Sequence, residues 1–585
     1  MMENLAEMLK QQASAVIKEI FFNEDLSLPL PAEITQSTQL EFGHYQCNSA
    51  MKIGKALKRN PREVAKQIVE KWEKKKSGNI ASLEVAGPGF INVLITTESL
   101  SRDLTLIVQD PRLGVPKVKQ KKKVIVEFSS PNVAKELHVG HLRSTIIGES
   151  LARFFEFIGH DVIRLNHIGD WGTQFGMLIC YLKEKEPDVL FGMKEADLSS
   201  LMSWYRASKV LFDADPDFKK RAQLQVIALQ SGDPSTIQSW EKICEISRKG
   251  FQEIYDYLDV SLTERGESFY NEMLPEIIAD FEKKGLITIS DGAKCVFLEG
   301  FTSKEGKPLP MILQKSDGGY NYETTDMAAI IHRVQEEKAD RVLYVVDAGQ
   351  SLHFQMILKA AEKAGYYDPK KISFEHVPFG VVLGPDGKKF KTRSGETERL
   401  VDLLKEAEHR AKAILKERIQ DINENELENL AHILGIDAVK YADLSCHRVK
   451  DYVFSYDRML NFEGNTAAFL LYSYVRIQGI KRKVQKNVNV LIETSPIVLT
   501  HPTEILLGLH LRQFGETLEM IERDLLPNRL CDYLYTLAEK FNAFFRDCRV
   551  EGSHEESSRL ILAELSGRIL KRGLFILGLQ TMDRM

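Results

Sequence analysis

The sequence predicts an α/β fold in which a central domain on a parallel sheet follows an N-terminal α+β domain, carries a helical insertion and precedes an all-α C-terminal domain. Three observations predict it. A pattern of apolar strand, loop and amphipathic helix followed by another strand starts at Val124. Strand patterns return after a charge-rich helical stretch, and beyond the segment KKFKTRSGE almost every window has helical periodicity. A chain of 585 residues also has room for several domains.

The domain borders follow from changes in pattern along the chain. Residues 1–115 alternate helical pieces such as NLAEMLKQQASAVIKEI and PREVAKQIVEKWEKK with the strand-like LEVAGPGFINVLI, and the lysine-rich PKVKQKKK follows as a boundary. The central domain is predicted over residues 120–395, with the insertion at about 183–290, and the helical C-terminal domain over 396–585. Within the central domain we predict strands in YNYETTDMAAII, RVLYVVDAG and HVPFGVVLG, and a helix in SLHFQMILKAAEKAG.

Composition favours a soluble cytoplasmic protein. The apolar fraction is 43% and the charged fraction 28%, and no window approaches the ~18 uninterrupted apolar residues of a membrane span. The N-terminal segment is amphipathic with early acidic residues, which fits neither a secretory signal nor a transit peptide. Seven scattered cysteines without a C-x-x-C pair suit a reducing compartment. The net charge of −5 does not exclude a local basic face for nucleic acid.

The segment SSPNVAKELHVGHLRST, which follows the strand-like VIVEF, is the strongest chemical signal. It places His138 and His141 around Gly140 at the start of a helix, and a metal site, a phosphate site and two ordinary histidines are the alternatives. A zinc site needs further ligands, and the nearest candidate, His167, lies a strand away. Val139 also stands where a zincin would have glutamate. We therefore predict no protein metal site.

A phosphate site accounts for more of these residues. Gly140 lacks a Cβ where a nucleotide would approach the backbone, and the loop leads to a helix N-terminus that attracts anions. The two imidazoles can donate hydrogen bonds to a polyphosphate, and Lys135 adds a positive charge upstream. The segment therefore favours binding of a nucleotide through its phosphates.

PNVAKELHVGHLRST, followed by NHIGDWGTQFG, resembles the HIGH signature region of class I aminoacyl-tRNA synthetases, and specifically of the arginyl-tRNA synthetase family. The segments EFGHYQCN, EVAGPGFINV, DGGYNYETTD, GPDGKKFKTRSGET, FEGNTAAF and LGLQTMDRM extend the resemblance through nearly the whole chain. It implies a Rossmann-like sheet, activation of L-arginine by ATP to arginyl-adenylate with release of pyrophosphate, and transfer of the arginyl group to the terminal adenosine of tRNA(Arg). It also implies a monomer that requires tRNA before arginine is activated.

The resemblance implies electrostatic roles for the residues around ATP, because attack of the arginine carboxylate on the α-phosphorus needs no protein nucleophile. The second class I signature, KMSK, is altered here: KFKTRSG has Lys389 at its first lysine and Thr392 at its second. Lys135 matches the upstream lysine that compensates in the family. The implied catalytic residues are His138, His141, Lys135, Lys389 and Lys391, and the implied ATP-binding residues are His138, Gly140, His141, Gly169, Asp170, His353 and Lys389. Mg²⁺ is expected to be carried on ATP rather than by protein ligands.

The arginine pocket can be argued from chemistry as well. A guanidinium is a planar fork of donors, so a site that prefers arginine to lysine needs carboxylates in its plane and gains from an aromatic ring. Glu127, Tyr322 and Asp326 supply those groups and match family positions, although each could instead be structural. The full set that the resemblance implies for arginine is Glu127, Ser130, Asn132, His138, Tyr322, Asp326 and Gln350.

For tRNA, the resemblance implies that the N-terminal domain reads the outer corner of the molecule and the C-terminal helices its anticodon. Exposed aromatic and amide groups can stack on an unpaired base and hydrogen-bond it, but Tyr45 could equally be a core aromatic. Tyr472 and Arg476 are four residues apart and can share a helical face, whereas Tyr474 points elsewhere, so one of these tyrosines is expected in the core. The implied tRNA-binding residues are the loop candidates Tyr45, Gln46 and Asn48 together with Tyr472, Tyr474 and Arg476.

Three other functions remain open from the sequence. A class I synthetase of another specificity would share the H-x-G-H motif, but the carboxylates Glu127 and Asp326 argue against a neutral amino acid. A catalytically silent relative that binds tRNA or senses arginine is favoured only by Thr392 in the second signature. A small H-x-G-H nucleotidyltransferase would have no use for the helical C-terminal domain.

Overall fold

The structure, a computed structural model, describes residues 4–22, 32–37, 42–388, 390 and 399–585. Contacts within the chain divide it into two compact units. The first combines both ends of the chain, as Met1–Lys117, Asn461–Phe575 and Gln580–Met585. The second consists of Val118–Leu460 and Ile576–Leu579. The N-terminal segment and the C-terminal helices therefore share one unit, and the β-α-β segment lies in the other.

The N-terminal part of the first unit is an α+β assembly, as predicted. Its elements are α1 (Leu5–Ile20), β1 (Ile34–Gln36), β2 (Tyr45–Cys47), α2 (Ser49–Leu57), α3 (Pro61–Glu73), β3 (Ile80–Ala86), β4 (Phe90–Ile95) and α4 (Thr97–Gln109). The strands form an antiparallel sheet in the order β1-β2-β4-β3. α1 and α3 begin at the capping residues Asn4 and Asn60, and Trp72 of α3 is fully buried. The hairpin β3–β4 is the strand-like piece LEVAGPGFINVLI of the sequence.

The second unit begins with the β-α-β segment and the helical insertion. Its first elements are β5 (Lys123–Glu127), α5 (Val139–Ile158), β6 (Asp161–Asn166), α6 (Thr173–Lys185), α7 (Pro187–Leu190), α8 (Leu198–Ala214), α9 (Pro216–Gln230), α10 (Pro234–Tyr257) and β7 (Thr263–Glu264). The remaining elements are α11 (Leu274–Lys283), β8 (Thr288–Ser290), β9 (Ala293–Thr302), β10 (Pro308–Gln314), α12 (Tyr322–Gln335), β11 (Arg341–Tyr344), α13 (Ser351–Lys363), β12 (Ser373–His376), β13 (Val382–Leu383), α14 (Leu400–Arg418), α15 (Glu424–Leu444), β14 (Tyr452–Val453) and α16 (Tyr456–Met459).

A parallel sheet of order β12-β11-β5-β6-β7 forms the centre of this unit. The apolar residues Val124, Ile125 and Val126 of β5 are fully buried, which is typical of a strand covered on both faces. The chain leaves β5 through α5 to β6 on one side, and β11 pairs on the other side. The carboxyl end of β5 is thus the place where the strand order reverses, and open α/β sheets bind their ligands there.

Two strand predictions need correction: HVPFGVVLG contains only the last residue of β12 and the two-residue β13, and the other segment contains no strand. The segment YNYETTDMAAII contains helix α12 rather than a strand. Its β-branched threonines favour a strand by propensity, but Met327, Ala328 and Ile330 of the helix are fully buried in the core, and packing outweighs propensity. The antiparallel sheet β10-β9-β8 was not anticipated from the sequence.

The C-terminal part of the first unit is helical, as predicted. Its helices are α17 (Ala467–Val484), α18 (Val488–Thr494), α19 (Pro502–Arg512), α20 (Phe514–Asp524), α21 (Asn528–Asp547) and α22 (Glu556–Ile576). It joins the N-terminal part through buried polar contacts, such as the ion pair between Arg512 Nε and Asp103 Oδ2 at 2.8 Å. Searching the described residues, we find no helix with the length and apolarity needed to cross a bilayer.

Candidate active site

The loop from β5 to α5 has an unusual backbone. Ser129, Ser130 and Ala134 have φ angles of 70°, 48° and 60°, in the left-handed region that non-glycine residues seldom adopt. Hydrogen bonds hold the strained positions: the Ser129 amide donates to Ser144 Oγ at 2.9 Å, and the Ser130 amide donates to Asn166 Oδ1 at 3.0 Å. Such strain persists only where surrounding contacts fix it, and it is common at functional sites. The loop is thus held in one conformation at the carboxyl end of the sheet.

His138 and His141 cap the start of α5 with their own side chains. The Gly140 amide donates to His138 Nδ1 at 3.0 Å, and the His138 amide donates to His141 Nδ1 at 3.1 Å. This is a capping box in which two imidazoles replace the usual hydroxyl and carboxylate. Because Nδ1 of each ring accepts a hydrogen bond, the proton of each neutral ring lies on Nε2. Each histidine can therefore donate one hydrogen bond from Nε2.

Both histidines are held neutral. Burial, followed by the charges of His138 and Lys135, lowers the pKa of His141 to about 3. Burial, followed by the charge of Lys135, also lowers the pKa of His138. The two ring centroids are 4.1 Å apart, so two positive charges here would repel strongly. The pair acts on an anion as neutral donors beside a positively charged lysine.

Gly140 is required by this capping arrangement. A Cβ at position 140 would lie 2.9 Å from His138 Cε1 and 3.1 Å from His138 Nδ1. Gly140 therefore allows the His138 ring to fold back over the first turn of α5. The sequence had suggested that Gly140 gives access to a nucleotide, and the structure adds this second reason.

A cavity of about 530 Å³ adjoins the two histidines. Its walls are largely apolar, and its lining includes Val345, Val346, Phe379, Val381 and Val382. The lining also includes His138, Gly140 and His141 at the start of α5, where helix amide groups can attract an anion. An apolar chamber that ends in hydrogen-bond donors suits a nucleotide, with the base in the chamber and the phosphates at the helix N-terminus.

Three of the predicted arginine-pocket and ATP residues lie together on α12 and α13. His353 Nε2 lies 2.6 Å from Asp326 Oδ2, and the rings of Tyr322 and His353 are 5.1 Å apart. Burial opposes ionisation of Asp326, but the hydrogen bond and charge of His353 outweigh it and lower its pKa. Burial likewise opposes the charge on His353, and the same contact with Asp326 raises its pKa overall. Asp326 is thus held as a carboxylate beside an aromatic ring.

Glu127 has a partner that the sequence did not reveal. Its carboxylate forms a buried ion pair with Arg333 of α12, whose guanidinium lies 5.1 Å from the centroid of the Tyr344 ring. The expected carboxylate for a substrate guanidinium therefore already contacts a guanidinium of the protein. Arg333 lies 206 residues from Glu127 along the chain, so no local pattern could have indicated the pair.

Several buried polar atoms near these groups lack partners within the described part of the chain. They are Ser130 Oγ, His167 Nδ1 and Tyr270 Oη. The ring centroids of His167 and Tyr270 are 5.7 Å apart. His167 also contributes to the lowered pKa of Asp326. Buried polar groups without partners are costly and are often completed by a ligand or water. The unpartnered hydroxyl keeps Ser130 a candidate contact for the amino acid. The sequence analysis considered His167 only as a metal ligand and did not single out Tyr270.

The remaining predicted residues of the site, Asn132, Gly169, Asp170 and Gln350, come after the carboxyl ends of β5, β6 and β11. Asn132 forms an isolated parallel bridge with Gly169, whose absent Cβ would lie 2.1 Å from Asn132 Oδ1. Asp170 is buried and accepts hydrogen bonds from the amide and hydroxyl of Ser268 at 2.8 and 2.7 Å. These contacts fix Gly169 and Asp170 beyond the carboxyl end of β6, and their expected role in ATP binding stays a prediction. Gln350 is exposed at the start of α13, beyond the carboxyl end of β11.

A further carboxyl, Glu267, borders the same region. Burial, followed by the charges of Asp326 and Asp170, raises the pKa of Glu267 to about 8. Its amide donates to the Ile168 carbonyl at 3.0 Å, which places it beside the carboxyl end of β6. A carboxyl with a raised pKa beside Asp326 is a candidate functional group that the sequence did not indicate, because Glu267 belongs to no motif considered there.

The N-terminal candidates for tRNA contact need correction. Tyr45 and Gln46 lie in strand β2, not in a loop. Tyr45 is 0% exposed and its hydroxyl donates to Glu516 Oε1 of α20 at 2.7 Å, so it is a core residue that cannot stack on a base. Gln46 donates to Asn92 Oδ1 at 3.0 Å, whereas Asn48 Oδ1 has no partner among the described residues. Phe42, just before the strand, is the exposed aromatic that the sequence did not single out.

The C-terminal candidates form a surface cluster on α17 and α21. The Arg476 guanidinium lies between Tyr472 and Phe545, 4.9 and 5.1 Å from their ring centroids. Arg476 Nη1 donates to Asn542 Oδ1 at 2.6 Å, which fixes its orientation. Tyr474 is only 6% exposed, so it is the core tyrosine of the pair and its predicted contact with tRNA is contradicted. Phe545 and Asn542 join the cluster from a helix that the sequence analysis did not consider.

The second signature lies mostly outside the described residues. Lys389, Lys391 and Thr392 fall there, whereas Lys388 is described and exposed. Among the residues that the structure does describe, no group of three or more histidine, cysteine, aspartate or glutamate side chains could hold a metal ion.

Three family models match successive parts of the chain. The N-terminal domain of arginyl tRNA synthetase matches residues 5–95, the catalytic domain of "tRNA synthetases class I (R)" matches residues 103–456, and the DALR anticodon binding domain matches residues 470–585. The parallel sheet and the histidine pair at its carboxyl edge are those of a class I tRNA synthetase. An arginine–tRNA ligase from Protochlamydia amoebophila is 61% identical over 94% of each chain, and one from Nostoc sp. is 51% identical over 94% of this chain and 95% of that one. The chain belongs to the arginyl-tRNA synthetase family.

A solved structure supports the same assignment. Arginyl-tRNA synthetase from Plasmodium falciparum superposes with a TM-score of 0.87 at 35% identity, covering 100% of both chains. The similarity therefore includes both units of the fold, and it confirms the predicted α/β class with its additional domains.

Proposed function

We propose that this protein ligates L-arginine to tRNA(Arg) in two steps. In the first step, a carboxylate oxygen of arginine attacks the α-phosphorus of ATP. The bond from that phosphorus to the oxygen that bridges the α- and β-phosphates breaks. The products are arginyl-adenylate and free pyrophosphate. A hydroxyl of the terminal ribose of tRNA then loses its proton as it attacks the arginyl carbonyl carbon, and AMP leaves. The observation that carries the proposal is the pair of neutral histidines that cap α5 beside a nucleotide-sized cavity.

The histidines and Lys135 act by stabilising charge. Negative charge grows on the oxygens around the α-phosphorus and on the departing pyrophosphate in the first step. Nε2–H donors of His138 and His141, fixed by the capping contacts, need no rearrangement to meet that charge. The exposed Lys135 ammonium is mobile enough to follow the phosphates. Lys389 and Lys391 are proposed to act from the second signature on the same phosphates, with His138 also touching the arginine carboxylate.

The amino acid is proposed to bind beside Asp326. The ionised Asp326 and the exposed Tyr322 offer a carboxylate and a ring to a planar guanidinium. The Glu127–Arg333 pair lies deeper and orders the wall of this pocket. Asn132, Gln350 and the unpartnered hydroxyl of Ser130 are proposed to hold the α-amino end.

The tRNA is proposed to contact the first unit at two places. The Tyr472–Arg476–Phe545 cluster offers stacked planar groups that suit an unpaired anticodon base. In the N-terminal part, Gln46 and Asn48 are proposed to exchange their contacts with Asn92 and Thr35 for contacts with a base, and Phe42 replaces Tyr45 as the stacking candidate.

We propose four finer properties, which the resemblance to the family supports. Mg²⁺ enters with ATP, because phosphate oxygens and water satisfy its preference for octahedral oxygen ligands. The protein is a cytoplasmic monomer, and arginine activation requires bound tRNA.

The test is ATP–pyrophosphate exchange with each of the twenty amino acids, with and without total tRNA. Exchange with arginine alone, seen only when tRNA is present, is the expected result. Exchange with another amino acid would indicate a synthetase of different specificity. Tight tRNA binding without exchange for any amino acid would indicate the catalytically silent relative. Exchange with arginine in the absence of tRNA would retain the activity and refute the tRNA requirement.

A further inference from the structure

The segment that carries Lys135 is anchored at both ends. At one end Asn132 forms a parallel bridge with Gly169. At the other end His138 forms an antiparallel bridge with Arg399, and the Leu400 amide donates to the Leu137 carbonyl at 3.0 Å. The residues between the two bridges belong to no helix or strand. The position of Lys135 therefore depends on the two anchors.

A charged pair reinforces the second anchor. Arg399 Nε lies 3.0 Å from Glu136 Oε1, directly beside the backbone bridge. The Glu136 side chain is 16% exposed and that of Arg399 is 46% exposed. Asp402 competes weakly for Arg399 at 3.8 Å. Leu137 and Leu400, the chain neighbours of Glu136 and Arg399 that share the backbone hydrogen bond, are both buried.

Global stability does not explain this pair. A half-exposed ion pair contributes on the order of 0–1 kcal/mol to folding, because water screens it and two long side chains must be ordered. The location of the ion pair indicates a role other than stability. Glu136 is the direct neighbour of Lys135 and lies two residues before His138. A shift of the chain at Glu136 would move both groups that face the phosphates.

We propose that Glu136 and Arg399 form a positioning pair for the first signature, holding Lys135 and His138 where they meet the phosphates of ATP. Neither residue touches the reacting atoms, and both act through the backbone of residues 135–138. The inference rests on the proposed adenylation chemistry. It assigns a function to two residues outside the motifs and links the start of α14 to the loop before α5.

The test compares four variants by arginine-dependent ATP–pyrophosphate exchange with tRNA present. Glu136→Gln and Arg399→Gln each remove one charge and keep the side-chain shape nearly intact. Each should lower kcat about tenfold and leave KM for arginine within about twofold, since small misplacements of catalytic groups reduce rate more than binding. The double variant should be no worse than either single variant, because the two losses describe one contact. The charge-swapped pair Glu136→Arg with Arg399→Glu should recover most of the rate.

The control is Glu253→Gln, which removes the partner of Lys405 in an exposed ion pair between α10 and α14 and should leave kcat unchanged. Thermal unfolding of all variants should stay close to that of the parent protein. Unchanged kcat in both single variants would overturn the proposal. Additive losses without recovery in the swapped pair would overturn it too, because they indicate separate roles. If the parent protein shows no exchange, the proposed function itself fails, which is a distinct result.

Discussion

At the scale of single residues, the site depends on groups whose charge is set by their neighbours. Loss of water around the imidazoles and the nearby charge of Lys135 lower the pKa of His138 and of His141 and favour their neutral forms, whereas His353 lowers the pKa of Asp326 and keeps it ionised. The same unit thus offers neutral donors to a polyphosphate and a fixed anion to a guanidinium. Lys135 is the exposed positive charge beside the donors, so it is the residue whose removal should affect the chemistry most directly.

Lys135→Ala should lower kcat for arginine activation by on the order of 10²-fold with little change in KM for arginine. The ammonium meets charge that develops mainly in the transition state, and such contacts affect kcat more than ground-state binding. Steady-state exchange over a range of arginine concentrations provides the measurement. Lys359→Ala, which removes a surface lysine paired with Glu362, is the matched control and should not change kcat. An unchanged kcat in Lys135→Ala would remove this lysine from the mechanism.

At the scale of elements, the start of α5 serves as both helix cap and phosphate site. Two histidine rings satisfy backbone amides that would otherwise lack partners, and the same contacts leave Nε2 of each ring as a donor. Gly140 makes the arrangement possible because any side chain there would meet the His138 ring. The cap and the catalytic geometry therefore cannot be altered independently.

Gly140→Ala tests this coupling. The added methyl should displace the His138 ring and lower kcat at least tenfold, while helix propensity offsets part of the lost stability. Gly515→Ala is a close control, because Gly515 is also the second residue of its helix and its added Cβ would meet nothing within 4 Å. That variant should keep full kcat and gain stability of about 0.5–1 kcal/mol. Exchange kinetics and denaturant unfolding measure the two effects, and equal kcat in both variants would contradict the coupling.

At the scale of the whole molecule, the residues proposed to bind tRNA and those proposed to bind ATP and arginine belong to different units. The Tyr472–Arg476–Phe545 cluster lies in the first unit, and the histidines, Asp326 and the cavity lie in the second. This division could not be predicted from the order of segments along the chain, because the first unit combines residues from both ends. Substitutions in the cluster should therefore affect tRNA and leave the small-molecule sites intact.

Arg476→Ala should raise KM for tRNA about tenfold and leave KM for ATP and arginine unchanged. Loss of one stacking group typically costs about 1–3 kcal/mol, and 1.4 kcal/mol corresponds to tenfold in affinity. Aminoacylation at varied tRNA concentration gives the value. Arg523→Ala in the same unit removes an exposed arginine paired with Asp524 and reports the effect of lost charge alone. Equal effects of the two variants would show that Arg476 contributes only general attraction to phosphate.

Much of the fold was predictable because local patterns reflect local contacts. The β5-α5-β6 segment, the helix α13 and the helical C-terminal part all follow from periodicity within windows of 5 to 20 residues. Helix α12 was misread because its β-branched residues favour a strand, and only its burial in the core decides for a helix. The residues of the first signature could be named from the sequence because they are consecutive and belong to a recognisable motif.

The sequence by itself therefore determined the class of fold, the first signature with Lys135, His138 and His141, and the chemistry that they favour. Only the tertiary structure decided which partners those residues have. Glu127 pairs with Arg333 and Tyr45 with Glu516, across separations of 206 and 471 residues. Burial and ionisation depend on such distant partners, because a charge or hydroxyl is stabilised by what packs against it. No periodicity along the chain records that packing.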